Sequence, residues 1–337
     1  MARVVTLGEV LLRLSPPGQT RLLGARQFEI HYGGSELNVA AALSGFGIHC
    51  TAVTKVPEHE LGYSAIKELA SFGIDTSFIA KGGDRIGIYY LENGYSVRPA
   101  KVVYDRKDSA FSRVSPDEFN IEQILAGADL FHVSGITLGV SENAFQLAKA
   151  FMQKARKSGV KVSFDFNYRS KLWSIGEAME KFREVLPWVD ILFGSHFDFC
   201  HVLGKKPVNS LDETDILQYY RSLYEAMFEQ YHPKYMISSI REVESANRNR
   251  YQGLLYHNHR IERSRKYTLD IVDRVGTGDA FAAGFLYACL MNREPSYAID
   301  FAAASTAFKH TVPGDVMIAR ACEIEQLIAT GSCTVQR

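Results

Sequence analysis

The sequence predicts an α/β protein: a mostly parallel sheet with helices on both faces, and a second, smaller sheet inserted into it. Two patterns carry that prediction. Short β-branched or apolar runs alternate along the chain with longer stretches of helical periodicity, the pattern of βαβ units. Two further pairs of extended segments interrupt the alternation and read as hairpins. At 337 residues the chain can bury a sizeable core, and 1–337 reads as a single domain without a long linker.

Val4–Gly8 is the first strand, and Leu11–Leu14 with Gln27–Tyr32 form the first inserted pair. Ser35–Phe46 follows as a helix with Ser35 as its N-cap. Thr51–Lys55 is a strand and Leu61–Phe72 a helix. Ile86–Glu92 and Val97–Tyr104 make the second inserted pair, turning at Glu92-Asn93-Gly94, so the insertions span about 11–32 and 86–104. The alternation then resumes with strands at Leu130–Ser134, Lys161–Phe166, Ile191–Gly194, Tyr235–Ser239 and Tyr251–His257. Helices at Glu142–Ser158, Ala178–Leu186 and about Ala280–Leu290 complete the pattern. Sheets of this kind bind ligands at the carboxyl ends of their strands. The small sheet, with one apolar face and no core of its own, must cover something.

Lys+Arg and Asp+Glu both number 38, so no global charge points to nucleic acid or to an anionic membrane. The basic residues Arg260, Arg263, Arg265 and Lys266 are broken up by Glu242 and Glu262. A small molecule is the better partner. Five scattered cysteines, Cys50, Cys200, Cys289, Cys322 and Cys333, lack metal-ligand spacing and read as reduced thiols. The N-terminus enters a strand without a signal pattern, and no apolar run approaches the roughly 20 residues of a membrane helix, which predicts a cytoplasmic protein.

The most informative stretch is Asp273-Arg274-Val275-Gly276-Thr277-Gly278-Asp279-Ala280. Its glycines let backbone N–H groups approach a ligand where a helix presents its positive end, the makings of a phosphate cradle. Asp279 stands beside that cradle as a proton acceptor that the helix end should keep ionised. A capped helix packing on a sheet would read the same way. A second stretch, Gly33-Gly34-Ser35-Glu36-Leu37-Asn38, opens another helix with Gly34 bare to a ligand.

The two stretches together, in this order, resemble the paired signatures of the ribokinase-like (PfkB) carbohydrate kinases, and the resemblance runs from Val4 to about Glu325. It implies the ribokinase-like three-layer α/β/α fold, with the insertions forming a β-lid over the sugar. A homodimer through that lid, or a higher oligomer containing dimers, follows from the same resemblance. It also implies ATP with Mg2+, Asp279 as catalytic base, and an anion hole of Gly276, Thr277 and Gly278. Asp273 would serve a monovalent cation such as K+, as in some relatives, or be a turn residue. The family's Asn-x-x-Glu magnesium motif is replaced here by Ser195 and Asp198, which leaves the metal role of Asp198 open. The glycine-rich turn that many relatives carry after the Tyr235–Ser239 strand is missing, and Ser239 and Arg241 would either meet phosphates or decorate a solvated hairpin.

Three more fragments resemble those of 2-keto-3-deoxygluconate kinases: Tyr89-Tyr90, Tyr104-Asp105-Arg106, and Asp165-Phe166-Asn167-Tyr168-Arg169, with Gly314-Asp315 near the end. A guanidinium fork fits a carboxylate, and Arg169 follows a strand end where ligands bind. By this resemblance Gly34, Tyr89, Tyr104, Arg106, Arg169 and Asp315 contact a sugar acid, while Asn167, Tyr168 and Ser195 lie nearer the nucleotide. Transfer to the 6-hydroxyl of 2-keto-3-deoxygluconate is the reaction implied. The galacto epimer, fructose, a nucleoside, and a non-catalytic sensor on the same fold remain alternatives.

Overall fold

In a computed structural model, residues 2–208 and 213–330 are described. The first half contributes β1 (Arg3–Leu7), β2 (Leu11–Ser15), β3 (Glu29–Gly33), α1 (Ser35–Gly45), β4 (His49–Val56), α2 (Glu60–Ser71), β5 (Ile79–Lys81), β6 (Gly87–Glu92) and β7 (Lys101–Asp105). The middle adds α3 (Ile121–Leu125), β8 (Leu130–Ser134), α4 (Gly135–Val140), α5 (Glu142–Lys157), β9 (Lys161–Asp165), α6 (Ile175–Val185), β10 (Ile191–Phe193) and α7 (His196–Val202). The last part holds α8 (Glu213–Tyr231), β11 (Tyr235–Ser245), β12 (Arg248–His257), β13 (Arg260–Arg263), β14 (Tyr267–Asp270), α9 (Thr277–Leu290), α10 (Pro295–His310) and α11 (Ala321–Thr330).

The main sheet runs β13-β12-β11-β10-β9-β8-β1-β4-β5, with β14 also on β12. Pairing is parallel from β11 through to β5, and antiparallel where β12 joins β11, β13 and β14. Alternation along each strand feeds two cores. On β1 Val4 packs with α1, α9 and α10, whereas Val5 and Leu7 face α5 and α6; on β8 Leu130 and Phe131 divide in the same way. Both faces are buried, as a parallel sheet requires. The sheet changes direction at β1, whose neighbours are β4 and β8, and that crevice is where α/β sheets bind ligands.

The second sheet, β3-β2-β6-β7, joins the two insertions through a parallel β2–β6 pair, so they form one four-stranded lid, the small sheet expected. The turn expected at Glu92-Asn93-Gly94 lies further on, at Tyr95–Arg98, where each backbone N–H bonds the other's carbonyl. Register lines up Ile30, Leu14, Tyr90 and Val103 on the outer face and His31, Arg13, Tyr89 and Tyr104 on the inner one. Ile30 is 60% and Val103 44% exposed, so the outer face carries apolar side chains in contact with water.

Among the described residues Cys50, Cys200, Cys289 and Cys322 are free thiols, and no helix is long and apolar enough to cross a membrane. Cys333 lies outside the described residues.

Candidate active site

The crevice between lid and sheet is a cavity of about 710 Å³. Gly34, Tyr89, Tyr104, Arg106, Asn167, Tyr168, Arg169, Ser195, Asp198, Ser239, Arg241, Gly276, Thr277, Gly278, Asp279 and Asp315 all line it; Asp273 does not. These residues come from strands β6, β7 and β11, from the segments that follow β3, β7, β9 and β10, from the start of α9 and from the segment after α10.

At the centre, Asp279 stands in the first turn of α9, 9% exposed. Its Oδ1 accepts from Ser35 Oγ at 2.7 Å and its Oδ2 from Asn38 Nδ2 at 2.7 Å. Asn167 Nδ2 donates in turn to Ser35 Oγ at 2.8 Å. Ser35 is therefore not the N-cap of α1. Gly34 holds that position, and the serine hydroxyl is diverted to the carboxylate. A Cβ on Gly34 would collide with the carbonyl oxygen of Glu9, so only glycine lets α1 start this close to the end of β1.

Gly276 caps α9 in the left-handed region, φ 75°, and a Cβ there would collide with the main chain of Asp315. The amides of Gly276 and Gly278 find no acceptor among the described residues, and that of Thr277 only a long 3.4 Å contact to Arg274 O. These N–H groups sit at the positive end of a 14-residue helix and can hold an anion. Burial pushes the Asp279 carboxyl above its ordinary value, while hydrogen bonds from Ser35 and Asn38 and the charge of Arg169 pull it back. The acid expected to stay ionised at the helix end is thus also made more basic by its burial.

Asp165, at the end of β9, is pushed up to about 8 by burial and by the charges of Asp279 and Asp198. The neighbours that cause this come from two other elements, α9 and α7, so no local run of residues signals it. Asp198 is also raised by burial. Its Oδ2 accepts the N–H (2.8 Å) and hydroxyl (2.6 Å) of Ser195, a reciprocal cap on α7. Among the described residues no three His, Cys, Asp or Glu side chains gather to cage a metal. Asp165 and Asp198 are instead hard oxygen donors at the cavity wall, which suits a magnesium ion that keeps its waters and arrives with phosphates.

Arg169 is exposed, and its guanidinium has no carboxylate or hydrogen-bond partner among the described residues, yet its charge is felt at Asp165, Asp198 and Asp279. Arg106 is half-buried, ion-paired with Glu9, and its guanidinium lies 5.9 Å from the centroid of the Tyr104 ring. Tyr89 Oη donates to Asp315, so these two are joined in the cavity floor. Asp273 is buried beneath. Its Oδ2 accepts from Arg13 Nη2 at 2.8 Å and from Gly314 N at 3.1 Å, and its Oδ1 from Val275 N at 3.0 Å.

A model of the pfkB family carbohydrate kinases matches residues 1–227 and 253–319. The chain belongs to this family. As a PfkB kinase it is a phosphotransferase with an alcohol group as acceptor. It is 31% identical to the 2-dehydro-3-deoxygalactonokinase of Haloferax volcanii, over 100% of this chain and 99% of that one. The 2-dehydro-3-deoxygluconokinase of Thermoproteus tenax is 29% identical, covering 94% of this chain and 90% of its own. The crystal structure of the 2-dehydro-3-deoxygluconokinase of Thermotoga maritima superposes with a TM-score of 0.93 at 40% identity, covering 97% and 98% of the two chains. The PfkB match pauses across 228–252, which includes β11 and the start of β12, the hairpin that stands where the glycine-rich turn is missing.

Proposed function

We propose that this PfkB kinase transfers the γ-phosphoryl group of ATP to the 6-hydroxyl of 2-keto-3-deoxygluconate. One observation carries the reading: a buried, doubly hydrogen-bonded Asp279 faces the same cavity as unpartnered amides and an unpaired Arg169. Asp279 takes the hydroxyl proton as the new O–P bond forms. The bond from the γ-phosphorus to ADP breaks, and the amides of Gly276, Thr277 and Gly278 offset the charge on the moving group. Arg169, with Arg106 over Tyr104, receives the substrate's carboxylate; Gly34, Tyr89 and Asp315 border its hydroxyls. Asn167, Tyr168, Ser195, Ser239 and Arg241 border the nucleotide. Asp165 and Asp198 would hold magnesium through its waters, which would supply charge neutralisation on the phosphates.

The galacto epimer is the second reading, supported by the similarity to the Haloferax volcanii enzyme. An ADP-release assay over both keto-deoxy acids, fructose and ribose tests both, with phosphorus NMR to locate the new ester. Turnover of fructose alone would overturn the sugar-acid assignment.

The apolar outer row, with Ile30 and Val103 exposed and Leu14 and Tyr90 half-buried, supports a homodimer formed lid to lid. Free thiols and an ATP requirement agree with work in the cytoplasm.

A further inference from the structure

Beneath the anion hole lies a closed set of charges. Arg13, on the inner face of β2, is 1% exposed. Its Nη2 reaches Asp273 at 2.8 Å, its Nη1 reaches Asp315 at 2.7 Å, and its Nε donates to Ser15 Oγ at 2.7 Å. Lys309, near the end of α10, is fully buried, and its Nζ donates to the carbonyl of Val312 at 2.8 Å. Its Cε stands 3.5 Å from where a Cβ of Gly276 would lie, so the lysine stem packs directly under the turn. Two cations therefore face two carboxylates around the segment that supplies the amides.

We infer that the Arg13 guanidinium and the Lys309 ammonium are the cations that hold the anion-hole turn in shape, so that phosphoryl transfer in this enzyme needs no monovalent metal ion. The inference rests on the proposed kinase reaction and adds to it the positioning of the hole. Asp273, the carboxylate that a metal would use, already accepts from Arg13, Gly314 and Val275, close to the four or so acceptor sites a carboxylate offers. A K+ ion there would have to displace a guanidinium that is also tied to Asp315. With Arg13 and Lys309 balancing Asp273 and Asp315, a third cation would leave net positive charge in a buried site. The Arg13 guanidinium thus stands beside Asp273 where a K+ ion would otherwise sit. Backbone N–H groups of Val272 and Asp273 bond the carbonyl of His310, at 2.8 and 3.3 Å, so a shift at Lys309 passes straight into the turn.

The test compares the full-length enzyme with MgATP and the sugar acid in tetramethylammonium, Na+ and K+ salts. We expect kcat to agree within about twofold among them. Lys309→Ala should be slow in tetramethylammonium and gain at least about tenfold in kcat, with KM for the sugar acid little changed, when K+ or NH4+ is added. Arg13→Ala should recover activity with guanidinium but not with urea. A wild-type kcat that rises about tenfold or more with K+ would overturn the inference, as would a folded Arg13→Met with wild-type kcat. Thermal melting of the unliganded wild type gives a reading independent of turnover: equal melting in K+ and tetramethylammonium supports the built-in cations, and selective stabilisation by K+ contradicts them. No turnover of any sugar acid would strike the proposed reaction and leave the melting result to decide this inference.

Discussion

Asn38, in the first turn of α1, donates to Asp279, in the first turn of α9, at 2.7 Å across a separation of 241 residues. With Ser35 on the other carboxylate oxygen, this contact makes one site out of two distant sequence stretches. It also sets the basicity of the acid, since both bonds favour the ionised form against burial.

The pH dependence follows with a definite sign. Asp279 must be ionised to take a proton, and its raised pKa moves the acid limb of kcat/KM above the ordinary carboxylate range. Asn38→Ala removes a bond to the charged form, so the limb should move further toward neutrality. A pH profile of the two enzymes checks it; an unmoved or lowered limb contradicts it.

Asp165 links pH to stability. Its pKa is raised in the folded state, from an ordinary value of 3.8 to about 8. Its contribution is therefore fully present below the unfolded pKa and is lost as pH rises through the folded one. Asp165→Asn should gain melting temperature over wild type progressively between those two values, with the advantage levelling off above about 8. A constant difference across that window would contradict it.

Arg169→Ala removes the unpaired guanidinium. The loss of a charged hydrogen bond costs about 1.5–3 kcal/mol, so KM for the keto-deoxy acid should rise roughly 10- to 100-fold. A neutral sugar should be affected far less. Equal changes for acid and neutral sugar would remove the carboxylate role.

Val103→Lys places a charge on the apolar outer row of the lid, where wild-type Val103 is 44% exposed. Sedimentation should show the dimer shifted to monomer with the fold intact by circular dichroism. A monomeric wild type would contradict the lid-to-lid dimer.

The alternating strands and helices of the main sheet were legible because each has its own period and its own boundaries: Leu130–Ser134 falls on β8 and Tyr251–His257 within β12. α10 was not, because it is buried around most of its circumference, with Ala298, Ala302, Ala303, Ser305 and Thr306 all inside, and so shows no stripe. Of the site, the glycines and Asp279 stood out through their spacing. Arg13 did not: an arginine within a strand reads as a solvated position, and only Asp273 and Asp315, 260 and 302 residues away, make it a core residue. Asn38 lay inside a conspicuous motif, yet its partner is on another helix. Asp165 needed both Asp279 and Asp198 in place before its unusual environment existed.

The most direct measurement is single-turnover phosphoryl transfer by Asp279→Asn with MgATP and 2-keto-3-deoxygluconate, beside nucleotide binding by the same protein. Positioned bases contribute roughly 10²- to 10⁴-fold, so we expect transfer to slow by about that range while ATP affinity holds. A variant that transfers at the wild-type rate would contradict Asp279 as the proton acceptor.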